Sequence, residues 1–196
     1  MEAASRVRMA GVACLIGGLL WAVVMSSFSA LGLTTPATPA GFYVFESLFM
    51  VIQILLFIGV VGLAWSGAAG NGWFGKLALG IALLGRTLFV LAEAHLLLSF
   101  SDFSPLLPLG ALVTALGMVL TGVAVLRAER WQGWQRFAPL LAGLYPFLTM
   151  FPLLAITGDV PYVLLAGWGL FWALLGVALT QQALAAQPVI ASATTA

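Results

Sequence analysis

Four polar residues stand deep inside two stretches that are mostly apolar: Glu46 and Gln53 in one, Arg86 and Glu93 in the next. In each pair the two residues are seven apart. Seven residues turn a helix through about 700°, so each pair shares one face, about 20° out of register. Two carboxyls and a guanidinium at such positions can hold an ion pair, bind a small solute or exchange a proton.

The two stretches are joined by a short connection around Gly67–Gly72, so they read as antiparallel neighbours. Depth follows by counting outward from Asn71. Gln53 is 18 residues away and Arg86 15; Glu46 is 25 away and Glu93 22. Each difference of three residues is about 4.5 Å of helical rise. Gln53 and Arg86 therefore sit near mid-membrane, with the two glutamates above them. If the polar faces meet, they form one ladder.

An unpaired arginine at that depth costs about 2.5–3.5 kcal/mol on insertion scales. Arg86 must therefore face protein or water. Two carboxylates against one guanidinium leave one negative charge, which either water solvates or a proton neutralises. A ligand or proton site at Glu46, Gln53, Arg86 and Glu93 is one reading; an internal ion pair that fixes helix packing is the other. His95 is nine residues from Arg86, about 900° of turn, and so points the other way. It reads as a side chain reaching for the membrane interface, with a place against the ladder or another helix as the alternative.

The elements that must position these groups are plain from composition. The chain of 196 residues is 63% hydrophobic and 7% charged. A soluble domain carries about 25% charged residues, so lipid must be the main solvent here. Six apolar stretches are long enough to cross a bilayer. They run roughly over 9–33, 42–65, 74–100, 106–126, 137–156 and 160–179. The fold expected is all-α, a compact six-helix transmembrane bundle over residues 1–182, with a disordered tail over 183–196. Arg6, Arg8, Lys76, Arg127, Arg130 and Arg136 fall on one side of this bundle, while the other side's connections carry Asp102 and Asp159. The excess of basic residues puts both termini in the cytoplasm and suggests a bacterial inner (plasma) membrane. Trp65, Trp73, Trp131 and Trp134 would belt the inner end, and Tyr43 and Tyr162 the outer. The first stretch follows a basic segment and Thr38-Pro39-Ala40 faintly resembles a cleavage site. At about 25 residues, though, the stretch exceeds the 7–15 of a signal core and reads as a retained span.

Small residues supply candidate packing seams: Gly110, Thr114, Gly117 and Thr121 in the fourth stretch, Gly169, Ala173 and Gly176 in the sixth. Helix packing is the first reading and a dimer interface the second. In the fifth stretch Pro146 removes a backbone donor and should leave the Ala142 carbonyl unpaired. A kink there would open space beside Tyr145 and Thr149. Trp21, Trp168 and Trp172 lie mid-span, as core packing or as an apolar slot for a ligand tail.

One cysteine, Cys14, and one histidine rule out an intrachain disulfide and offer no paired metal or haem ligands. No phosphate loop, dinucleotide fingerprint, HExxH or GxSxG is present. No metal, cofactor or catalytic residue is expected, and the balance leans away from an enzyme. The net charge of +1 argues against nucleic acid. Three functions fit. The first is a transporter or binding protein for a proton-coupled or anionic small solute, using the cluster with His95 and Tyr145 nearby. The second is an accessory subunit of a larger membrane complex or a homo-oligomer; Arg127, Arg130 and Arg136 read first as topology signals and second as a docking point for a partner. The third is a lipid-binding or lipid-modifying protein.

Overall fold

A computed structural model describes residues 2–32, 38–100 and 104–185. These residues are helical with short turns, and no strand occurs among them. Six helices are long and apolar enough to cross a membrane: α1 Glu2–Leu31, α2 Pro39–Trp65, α3 Trp73–Ser99, α4 Leu106–Ala128, α5 Gly133–Thr157 and α6 Tyr162–Ala185. The boundaries lie within a few residues of those expected, except that α1 begins at Glu2 rather than Met9 and α6 ends at Ala185 rather than Leu179, so residues 183–185 are helical rather than part of a tail. Arg6 and Arg8 are therefore helical, and Arg6 pairs with Glu2 one turn back. The last helix continues to Ala185; the tail beyond it, Leu33 and Asp102 lie outside the described residues.

Each helix packs on the next, and α6 closes the ring against α1, the most extensive contact of all. The closure depends on missing side chains. A methyl group on Gly18 would lie 2.3 Å from the Ala173 nitrogen, and one on Gly176 would lie 2.3 Å from that of Leu15. The α3–α4 seam is built alike: Gly85 meets the backbone of Thr114, and Gly117 that of Ala82. Both small-residue stripes are thus used within the chain. Lipid gives no apolar drive between helices, so close backbone approach and its dispersion contacts must hold them.

Outward, the helices present Leu98, Ile156, Leu148 and Val44. Such an apolar exterior suits a lipid solvent and would be a liability in water. The basic residues of α1, α3, α4 and α5 collect at the end of the bundle that holds the described ends of the chain. There Arg130 donates to the Gly67 carbonyl at 3.0 Å and to Asn71 Oδ1 at 3.4 Å, tying two connections together. Trp65, Trp73 and Trp134 are exposed at that end, but Trp131 is 4% exposed and belongs to the core.

The start of α2 is set locally. Thr38 Oγ1 accepts from the Gly41 amide at 3.2 Å, and Pro39 occupies the first turn. That is an N-cap followed by a residue with no donor to waste.

Gly18→Ala should destabilise the bundle by about 1–3 kcal/mol through overpacking of the α1–α6 seam. Thermal unfolding in detergent, compared with the same change at exposed Gly80, measures it.

Candidate functional site

Glu46, Phe49 and Gln53 recur at three- and four-residue steps along α2, as do Arg86, Phe89 and Glu93 along α3. Those steps place each trio on one face. The faces meet. Arg86 Nη2 donates to Gln53 Oε1, so the depth match read from the sequence is a real contact. Above it the Glu93 carboxyl lies close to the side chains of Glu46 and Gln53, and feels the charge of Arg86. All four side chains are buried, Arg86 completely, at 0% exposure.

The guanidinium is held in an unusual way. Its carbon lies 5.0 Å from the Phe89 ring centroid and 4.8 Å from that of Trp172. Arg86 Nε and Nη1 make no hydrogen bond with any described residue. A neutral amide and two π-faces thus take the place of a direct carboxylate partner. Behind it Cys14 Sγ donates to the Trp172 carbonyl at 3.3 Å.

Above this floor lies a cavity of about 360 Å³, in the half of the bundle away from the basic end. Glu46, Gln53 and Glu93 line it, and Arg86 does not. Its walls are ring carbon from Trp21, Phe45, Phe49, Phe89, Tyr162 and Trp168. Trp21 packs edge-to-face on Phe49, Phe89 and Trp168, at centroid distances of 5.9, 6.2 and 5.5 Å. Two buried polar atoms on this wall, Glu93 Oε2 and Trp21 Nε1, have no hydrogen-bond partner among the described residues. Two carboxyls and one guanidinium leave one negative charge if all three are ionised.

The proline in α5 shapes the same cavity. As anticipated, Pro146 frees the Ala142 carbonyl, and Trp168 Nε1 takes it at 2.8 Å. The helix widens by one residue over Pro146–Met150, and the Phe151 amide reaches back to the Pro146 carbonyl. Such a π-turn re-aims the side chains that follow. Met150, Phe151 and Leu154 then face the cavity. Tyr145 and Thr149 do not line it. Tyr145 donates to the Leu164 carbonyl at 2.9 Å and locks α5 to α6, while Thr149 bonds the Tyr145 carbonyl at 2.7 Å.

The remaining predicted residues divide. Trp21 and Trp168 reach the cavity, and Trp172 lies beneath it against Arg86. His95 is exposed on the bundle's outer surface, away from the ladder. Tyr162, assigned to the interface belt, is half-buried and lines the cavity. Phe45, Phe49 and Phe89 were missed. For Phe49 and Phe89 the spacing from Glu46, Gln53, Arg86 and Glu93 was the signal, since it sets them on the polar faces; Phe45, next to Glu46 and about 100° around the helix, carried no such signal. Among the described residues no cluster of His, Cys, Asp and Glu could hold a metal. Comparison with protein-family models, curated proteins and solved structures finds no match.

Gln53→Leu should lower stability by about 1.5–3 kcal/mol, because the buried guanidinium loses its acceptor; a thermal shift in detergent reports it. Trp168→Phe should cost about 1–3 kcal/mol by orphaning the Ala142 carbonyl. In a Pro146→Ala background, whose new amide can serve that carbonyl, the cost should shrink. A double-mutant cycle reads a coupling of about 0.5–2 kcal/mol.

Proposed function

We propose that this chain is an integral membrane protein, with both termini cytoplasmic in a bacterial inner membrane, that binds a small solute in its intramembrane cavity and exchanges a proton for it at Glu46 and Glu93. The observation that carries this reading is the cavity itself: its polar wall is a contacting carboxyl pair, one of whose oxygens, Glu93 Oε2, has no partner among the described residues. A pair that only locked helices together would be expected to satisfy its own atoms. The pair also sits above a fixed positive charge, so one carboxylate is balanced and the other carries the exchangeable proton. Passage of the solute across the membrane is the natural use of such a site, whose floor lies near mid-depth.

An accessory subunit would keep its small-residue stripes for a partner. Here both stripes are spent on the α1–α6 and α3–α4 seams, which favours a self-contained binding protein.

A hydrophobic carbodiimide adds to a protonated carboxyl in an apolar site and leaves a stable N-acylurea on it. Dicyclohexylcarbodiimide should modify Glu93 or Glu46 in the protein embedded in nanodiscs, with the labelled residue found by peptide mass spectrometry. Labelling should fall as pH rises and the shared proton leaves, and Glu93→Gln should remove it from position 93. A carboxyl pair inert to the reagent at every pH would falsify the proton-exchange reading.

A further inference from the structure

We infer that the solute class is an organic cation, a small quaternary ammonium or protonated amine, which enters the aromatic cavity as the proton shared by Glu46 and Glu93 leaves. This rests on the proton-exchange reading and adds the identity of what is exchanged.

Charge comes first. The titratable groups on the cavity wall are Glu46, Glu93 and Tyr162; no Lys, Arg or His lines it among the described residues. α4 contributes Leu107, Pro108 and Ala111, and α5 contributes Met150, Phe151 and Leu154, all uncharged. Arg86 is the nearest cation, and it is sealed below by Gln53, Phe89 and Trp172, with Cys14 behind it on α1. An anion in the cavity would meet two carboxyls and no guanidinium.

Neutrality comes second, because uncompensated charge is expensive at this depth. With Arg86 cationic, one glutamate ionised and the other protonated, the cluster sums to zero. A monovalent cation arriving as the proton departs preserves zero: the O–H bond of one carboxyl breaks, the proton goes to water, and the new carboxylate pairs with the cation. An anion would instead demand a second proton on the pair.

Recognition comes third. Aromatic rings attract a cation through their quadrupoles, most strongly where water is excluded. Trp21, Phe45, Phe49, Phe89 and Trp168 line the cavity together with the carboxyls, and Glu93 Oε2 is a buried acceptor with no hydrogen-bond partner among the described residues. A volume of about 360 Å³ lies at the small end of the range for small-molecule sites, roughly 300–1,000 Å³. That suits a compact head group with one ring or a short chain.

The test uses the full chain in nanodiscs and three probes of similar bulk: phenyltrimethylammonium, its uncharged isostere tert-butylbenzene, and benzenesulfonate. Each competes with carbodiimide labelling at matched concentration in the lipid phase. The cation should slow labelling in proportion to its concentration, release up to one proton per molecule bound, and bind up to about tenfold more tightly per unit rise in pH. Trp21→Leu should weaken its protection about 3- to 30-fold, measured against the labelling rate of the same variant without the cation. Trp21→Phe, which keeps a ring, should retain most of the protection and shows whether a loss in Trp21→Leu is specific. Equal protection by tert-butylbenzene would reduce the cavity to an apolar slot, and protection by benzenesulfonate instead would reverse the charge; either overturns the inference. Labelling that none of the probes slows overturns it too, yet leaves proton exchange standing. Absence of labelling overturns both.

Discussion

A fully buried guanidinium has few stable surroundings, and those that Arg86 finds organise the middle of this bundle. It has one neutral acceptor, Gln53, and two aromatic faces, Phe89 and Trp172, drawn from α2, α3 and α6. Three helices are therefore held to a common depth by one side chain. The same positive charge makes a carboxylate tolerable just above it. Without Arg86, an ionised glutamate this buried would lack a compensating charge. With it, one can be ionised while the other holds a proton, and a buried pair gains two accessible charge states.

Packing separates the bundle into regions with different duties. Glycines let the backbones of α1 and α6, and of α3 and α4, come into contact. Tight seams of this kind carry the dispersion energy that replaces a hydrophobic drive in lipid. Where large rings replace small residues, the helices cannot close as far, and the cavity lies there. Rigid seams around a ring-walled space favour a preformed site, which lowers the cost of ordering when a ligand binds.

The proline of α5 shows how a local defect is used. A missing amide at Pro146 frees the Ala142 carbonyl, and the buried indole of Trp168 needs an acceptor. Each solves the other's problem. The bond fixes the Trp168 ring as a wall of the cavity, and the widened turn brings Met150 and Phe151 to its lining as well. Two elements that look unrelated in the chain thus shape one space.

The amino-acid sequence by itself determined the helical spans, the polar faces of α2 and α3 and their relative depth, because these depend on hydropathy and on a helical repeat that is local and regular. The Arg86–Gln53 contact was legible for that reason. So was the unpaired carbonyl at Ala142, since proline acts on its own turn. Only the tertiary structure decided which helix closes the ring, that Trp172 lies under Arg86 while Trp168 walls the cavity, that Trp131 is buried, and that Tyr145 is a lock between α5 and α6. Those outcomes depend on azimuth, the direction in which each face points once the seams have closed. Apolar residues surround most of these helices, so no periodicity marks a buried side, and backbone contact between glycines selects it.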